Sequence, residues 1–256
     1  MKTLITTLLG CAALMFAGCG KSPATAPLTE PAPTLAELLS DDFRSTEDRA
    51  RDAGRKPAEV IAATGIAPGM RVLDLIAAGG WYTEVLSIAV GPGGHVTAHN
   101  TAFTLQMRDG ANDIAMSARL ANGRLPNVSR LTKETHEISA ADGPFDAALT
   151  ALNLHDIYGR SGEAGVTAVM AAVFSALKPG GFFVVIDHEG VAGNDNVALH
   201  RMQKSDAIRA AEAAGFVLDL DSDILRNPAD DMSLHMRDES VSGKTNRFLL
   251  RFRKPQ

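Results

Sequence analysis

Residues 71–86 read RVLDLIAAGGWYTEVL, and this stretch decides the fold. The run 70–75 is short, apolar and strand-forming, and it carries a carboxylate, Asp74, near its end. Small residues follow, Ala77-Ala78-Gly79-Gly80, and a helix is expected from Trp81 to Ala89. A strand that turns through small residues straight into a helix presents free backbone N–H groups, and the small side chains let a ligand approach closely. The dinucleotide fingerprint G-x-G-x-x-G is not met by this turn.

Outward from this unit the alternation continues. Downstream, Gly91-Pro92-Gly93-Gly94 makes a turn, 95–99 (HVTAH) a second strand, 101–121 a helix, 127–131 a third strand and 145–154 a fourth. Val166, Val169, Met170, Val173, Phe174 and Leu177 fall at steps of three and four, which predicts a helix with one apolar stripe, stopped by Pro179 and Gly180-Gly181. The apolar run 182–186 (FFVVI) suits a central parallel strand buried on both faces. A helix capped at Ser205 and closed by Gly215 comes next, then strands at 216–220 and 247–252, the last alternating in a way that suits a sheet edge or a half-exposed strand. Upstream, Pro57 opens a helix closed by Gly65, and 35–53 is a charged helical approach containing DDFRSTEDRARD. Strands alternating with helices call for a mostly parallel sheet covered on both faces, an α/β fold.

The V-L-D-L strand and its turn resemble the first motif of class I S-adenosylmethionine (SAM)-dependent methyltransferases. Three further stretches carry the same resemblance in the same order: Phe145-Asp146, Leu177-Lys178-Pro179-Gly180-Gly181-Phe182 leading into Val184-Val185-Ile186-Asp187, and Ala213-Ala214-Gly215-Phe216. The combination GGWYTEVL, NLHDIY, DHEG, LHRM and TNRFLLRFRKP is similar to an exported bacterial branch of predicted methyltransferases. The resemblance implies a Rossmann-like three-layer sandwich whose seven-stranded sheet is mostly parallel with an antiparallel last strand.

It also implies SAM as cofactor, held by Asp74, Ala78, Gly79, Gly80, Trp81 and Asn100. Two departures accompany it. The G-x-G-x-G of the superfamily falls on Ile76, Ala78 and Gly80, so only the last glycine is present, and the acidic residue that holds the ribose hydroxyls is replaced by Asn100. An amide accepts and donates but lacks the charge that strengthens a carboxylate bond. His99, Asn153, His155, Asp156, Asp187 and His188 are expected at strand ends facing one crevice, with His200 and Arg201 in the next segment. His155 is the first candidate for a base or substrate orienter, with Asp156 or Asp187 orienting it and His188 beside them. Trp81 and Tyr82 are expected to wall the pocket, and Arg247 and Arg253 to be solvated or paired.

The chain has 256 residues and a net charge of −5. No basic excess points to nucleic acid. Residues 1–18 read as a signal peptide, with an apolar stretch too short to span a bilayer, and Phe16-Ala17-Gly18-Cys19 resembles a lipoprotein cleavage box that would lipidate Cys19. Cys11 would leave with the signal, so the mature chain would have no disulfide. Residues 19–34 form a proline-rich tether, 35–55 the helical approach and 56–256 the methyltransferase-like domain. The expected setting is the periplasmic face of the envelope, at the outer membrane, with the lipid as membrane anchor. Three readings stand: methyl transfer to a small molecule or envelope component, a non-enzymatic envelope lipoprotein on a degenerate methyltransferase fold, and a transition-metal protein using His99, His155, Asp156, Asp187 and His188.

Overall fold

The computed structural model describes residues 32–256. The signal stretch, Cys19 and most of the tether lie outside them. Residues 33–256 form one compact unit, so the helical approach belongs to the domain. Its sheet has seven strands: β1 (Arg71–Asp74), β2 (His95–Asn100), β3 (Val128–Thr132), β4 (Phe145–Ala151), β5 (Leu177–His188), β6 (Val217–Ser222) and β7 (Arg247–Arg253). They lie in the order β3-β2-β1-β4-β5-β7-β6. β7 runs antiparallel to both of its neighbours, and the other pairings are parallel.

Among the described residues there are eight α-helices: α1 (Leu35–Ser40), α2 (Thr46–Ala50), α3 (Asp52–Arg55), α4 (Pro57–Thr64), α5 (Trp81–Val90), α6 (Ala102–Leu120), α7 (Leu154–Ala176) and α8 (Lys204–Ala213). Each central strand feeds two cores, because successive side chains point to opposite faces. In β5, Phe183 and Val185 join the core under α7 and α8, whereas Phe182, Val184 and Ile186 join the one under α4 and α5. Burial on both faces is what the run of five apolar residues requires.

Several expectations are corrected. β7 is an interior strand between β5 and β6, with Leu249 buried in one core and Phe248, Leu250 and Phe252 in the other. Arg247 at its start is buried and donates to the Gly54 and Thr245 carbonyls. β4 stops at Ala151, not Leu154, because Leu152 takes a left-handed backbone (φ 65°) and turns the chain into α7. The eighth helix begins one residue before Ser205, after Gln203, and the charged approach 35–53 is three short helices.

Candidate functional site

The parallel strands end along one edge of the sheet, and the β1–α5 loop, residues 75–80, crosses it. Ile76 (φ 57°), Ala78 (φ 49°) and Gly80 (φ 85°) are all left-handed. These are the three positions where the resemblance expects glycine, and all three take a torsion that glycine adopts most readily, although two of them are not glycine. A left-handed L-residue costs about 1–2 kcal/mol, and surrounding bonds must hold it there.

The end of β2 supplies those bonds. His99 Nδ1 accepts from the Ile76 N–H (3.3 Å), the His99 carbonyl accepts from Ala77 (2.8 Å), and the Asn100 side chain accepts from Ala78 N–H (2.8 Å) and donates to Ala78 O (3.2 Å). His99 Nε2 faces the Lys133 carbonyl at 2.9 Å, which sets the tautomer with its proton on Nε2. Burial holds its pKa below the ordinary value, so the ring is neutral and works as a loop clamp. Asn100 is 3% exposed, and both ends of its amide are engaged with Ala78.

Asp74 lies beneath this loop, 2% exposed, with Oδ2 accepting from the Thr83 hydroxyl (2.6 Å). Burial pushes its pKa up to about 7, against the opposing pull of Thr83 and Arg119. A methyl group added at Gly79 would meet the Ala115 side chain at 3.0 Å, so α6 packs tightly on the loop. Arg119 of α6 donates to the Gly79 carbonyl (3.0 Å) and pairs with Asp48 and with fully buried Glu84, which Arg124 also meets.

The loop forms one wall of a cavity of about 860 Å³. Asp74, residues 76–80, Trp81 and Tyr82 line that wall, and Arg51 and Arg55 from the N-terminal helices face it. Trp81 donates its indole N–H to the Asp48 carbonyl (3.0 Å), and the Arg55 guanidinium stacks 4.6 Å from its ring centre. Burial lowers the Arg55 pKa to about 10, which leaves it cationic at neutral pH. Burial likewise pushes the Tyr82 phenol up to about 12. Thr101, Phe103, Thr104 and Met107 from the start of α6 close another side. At the far end stand Asp156, Ile157, Arg160 and Arg237.

The expected crevice of histidines and aspartates divides in two. Asp156 lines the cavity, whereas His155, Asp187 and His188 sit behind its wall, at 3%, 0% and 6% exposure. His155 Nδ1 meets Asp187 Oδ1 at 2.6 Å, and Asp187 Oδ2 accepts the His155 backbone N–H (2.9 Å). Burial opposes charge on this pair, but their mutual attraction outweighs it, raising the His155 pKa and lowering that of Asp187. His188 contacts Thr245 Oγ1 through Nδ1 (2.6 Å), and burial drives its pKa down to about 3. The five-residue metal grouping is not formed: His99 is committed to the loop, Asp187 to His155 and His188. His155 and Asp156 converge instead with His200.

Sequence reasoning missed Arg51, Arg55 and the cavity face of α6. The i, i+4 spacing of Arg51 and Arg55, ahead of Pro57, was the available signal.

No family model matches the chain. A curated relative, the ubiquinone/menaquinone biosynthesis C-methyltransferase UbiE of Ectopseudomonas mendocina (strain ymp), is 23% identical over 181 residues, 71% of this chain and 65% of the relative. The chain thus spans just under two thirds of that relative's length. Among solved structures, a SAM-dependent methyltransferase from Aquifex aeolicus aligns with a TM-score of 0.58 at 18% identity, covering 83% of this chain and 97% of the other. The [4+2]-cyclase SpnF aligns with a TM-score of 0.59 at 19% identity, covering 84% and 85%. Strand order, antiparallel β7, the loop after β1 and these alignments agree: the chain has the fold of the class I SAM-dependent methyltransferases.

Proposed function

We propose that the chain is a SAM-dependent methyltransferase acting on a small molecule or an envelope component. The observation that carries this reading is the left-handed backbone at Ile76, Ala78 and Gly80 beside Asp74, on the wall of a cavity large enough for the cofactor. The residues present fit such a ligand. Arg55, Arg51 and the start of α5 offer positive charge to an amino-acid carboxylate. The exposed ring of Phe103 offers a stacking surface to a purine. Ribose hydroxyls would meet the threonine hydroxyls of Thr101 and Thr104, because the Asn100 amide is already spent on Ala78.

When bound, the cofactor supplies an electrophilic methyl on a sulfonium with a built-in leaving group, so the protein's task is alignment and proton removal. Asp156, on the cavity surface, is placed to accept a proton from an acceptor at that end. His155, the preceding residue, is held inward by Asp187, with Nδ1 2.6 Å from Oδ1. Titration of the full chain with SAM and S-adenosylhomocysteine by calorimetry tests the reading. Binding that Arg55→Ala weakens supports it, and no heat at millimolar ligand overturns it.

A second reading, a lipoprotein that binds another ligand without catalysis, is favoured by Asn100, whose engagement leaves no carboxylate for the ribose. A fold does not fix an activity, as the cyclase among the similar structures illustrates. SAM binding without methyl transfer to any envelope extract would favour this reading.

The same proposal puts the protein at the periplasmic face of the outer membrane through a lipid on Cys19. Its support is the sequence pattern around that residue. Mass spectrometry of the chain made in a lipoprotein-processing bacterium should find an acylated Cys19, and Cys19→Ser should release the protein from the membrane fraction. An unacylated, soluble native chain would refute the anchor.

A further inference from the structure

We infer that His155, Asp156 and His200 form a binding site for a divalent transition-metal ion, with His155 Nε2, Asp156 Oδ1 and His200 Nδ1 as the ligand atoms. Among the described residues, this is the one group of three histidine, cysteine or acidic side chains whose ligand atoms all lie within 4.8 Å of one another. Asp156 Oδ1 is 3.5 Å from His155 Nε2 and 3.0 Å from His200 Nδ1. Around zinc, with bonds of 2.0–2.1 Å, tetrahedral ligand atoms stand about 3.3 Å apart, and the two separations bracket that value.

A second observation points to the same place. His155 Nε2 is buried and has no hydrogen-bond partner, which is a costly state for a ring nitrogen inside a protein. The ring is not free to turn away, because Nδ1 is held by Asp187 at 2.6 Å and Asp187 is held in turn by the His155 and His188 backbone N–H groups. A carboxylate fixing one nitrogen of an imidazole while the other points at an ion is the usual support of a metal-ligating histidine. Here the supporting carboxylate is complete and the outward nitrogen is unmatched.

His200 is braced as well. Its backbone is left-handed (φ 50°), its Nδ1 stands 3.0 Å from Asp156 Oδ1, and its neighbour Arg201 is fixed to buried Asp230 by bonds of 2.9 and 3.0 Å. Asp156 also lines the cavity. Three protein ligands leave a fourth position for water or a ligand in a tetrahedral site. The site shares Asp156 with the proposed proton acceptor, but metal uptake can be read without the cofactor.

The test uses the tag-free full chain, stripped with a chelator and dialysed, in a Cys11→Ser/Cys19→Ser background that removes thiol ligands. Zn²⁺ titrated against a chromophoric competitor should bind at one equivalent, and Co²⁺ should give visible absorption bands of a low-coordinate histidine site. His200 is partly exposed, so His200→Ala should fold, as checked by circular dichroism, and lose affinity by about 100-fold or more. Asp187→Asn, which weakens the support of His155 without removing a ligand, should lose about 10–100-fold. His95→Ala, on β2 and away from the cluster, should change nothing. Failure of the folded chain to take up either metal, or uptake indifferent to both His200→Ala and Asp156→Asn, overturns the site and leaves the cluster a proton-sharing network. No SAM is present in these measurements, so their outcome is separate from that of the methyltransferase reading.

Discussion

Asn100 and Ala78 are joined by two hydrogen bonds running in opposite directions, the amide oxygen accepting from the Ala78 N–H and the amide nitrogen donating to the Ala78 carbonyl. One side chain therefore serves both polar groups of the loop's central residue. This pairing explains how an amide stands at the end of β2: an aspartate there could accept but not donate.

Replacing Asn100 by aspartate, which would restore the superfamily's acidic residue, should lower stability. The Ala78 carbonyl loses its donor and gains a carboxylate as neighbour, at a cost of about 1–3 kcal/mol. Urea unfolding of the two proteins checks this, and an unchanged midpoint with much tighter SAM binding would show that the clamp is dispensable.

The two non-glycine loop positions should respond differently to glycine. At Ala78 the relief of a left-handed backbone, about 1–2 kcal/mol, exceeds the entropy cost of glycine, about 0.5–1 kcal/mol, so Ala78→Gly should stabilise slightly. Ile76 also packs against the core under α7, and losing that burial, up to about 1.5–3 kcal/mol, should make Ile76→Gly destabilising. Denaturant midpoints should therefore move in opposite directions.

Asp74 gives stability a pH dependence of definite sign. Its folded pKa, about 7, lies above the ordinary 3.8, so between these values the folded state holds a proton that the unfolded state has lost, and stability falls as pH rises. His188, lowered to about 3, acts oppositely between about pH 3 and 6.5, where the unfolded chain binds the extra proton. Asp74→Asn should thus make stability rise more steeply, or fall less, from pH 4 to 7 than in the parent. Parallel thermal melts across that range measure the difference, and superimposable slopes would contradict it.

Glu84 is fully buried, and its charge is matched by Arg119 and Arg124. Removing one partner of a buried pair typically costs about 3–5 kcal/mol, and here Arg124 still faces Glu84 once Arg119 is gone, so part of the compensation stays. Arg119→Ala should still destabilise the chain, and Glu84→Gln in the same protein should recover part of the loss. A double-mutant cycle by urea unfolding reads both effects.

Much of the fold was legible in the sequence because its periodicities are strong. The stripe from Val166 to Phe174 lies in the long helix α7, which ends at Ala176, so Leu177, expected on the same stripe, instead opens β5, and the run Phe182 to Ile186 lies doubly buried within that strand. The end of β4 was not legible, since Leu152 and Leu154 continue the apolar pattern while the backbone of Leu152 turns away. β7 was misplaced for a related reason: its arginines suggested solvent, but Arg247 is buried against Gly54 and Thr245, while Arg251 and Arg253 pair with Asp219. Spacing located Asn100 correctly but could not tell that its amide faces the loop. Nor could sequence separate His155 from Asp156, consecutive residues of a first helical turn of which one points inward and the other to the cavity.

A loop built from glycines presents bare backbone to whatever it encloses. With Ile76 and Ala78 in the same left-handed torsions, this wall carries side chains, and Ile76 reaches both the core and the cavity. The contour of the wall can then be recut by exchanging one residue, a means of ligand discrimination that a glycine loop lacks. What such a turn demands is the sign of a torsion angle, and a chain can meet that demand while spelling it in different letters.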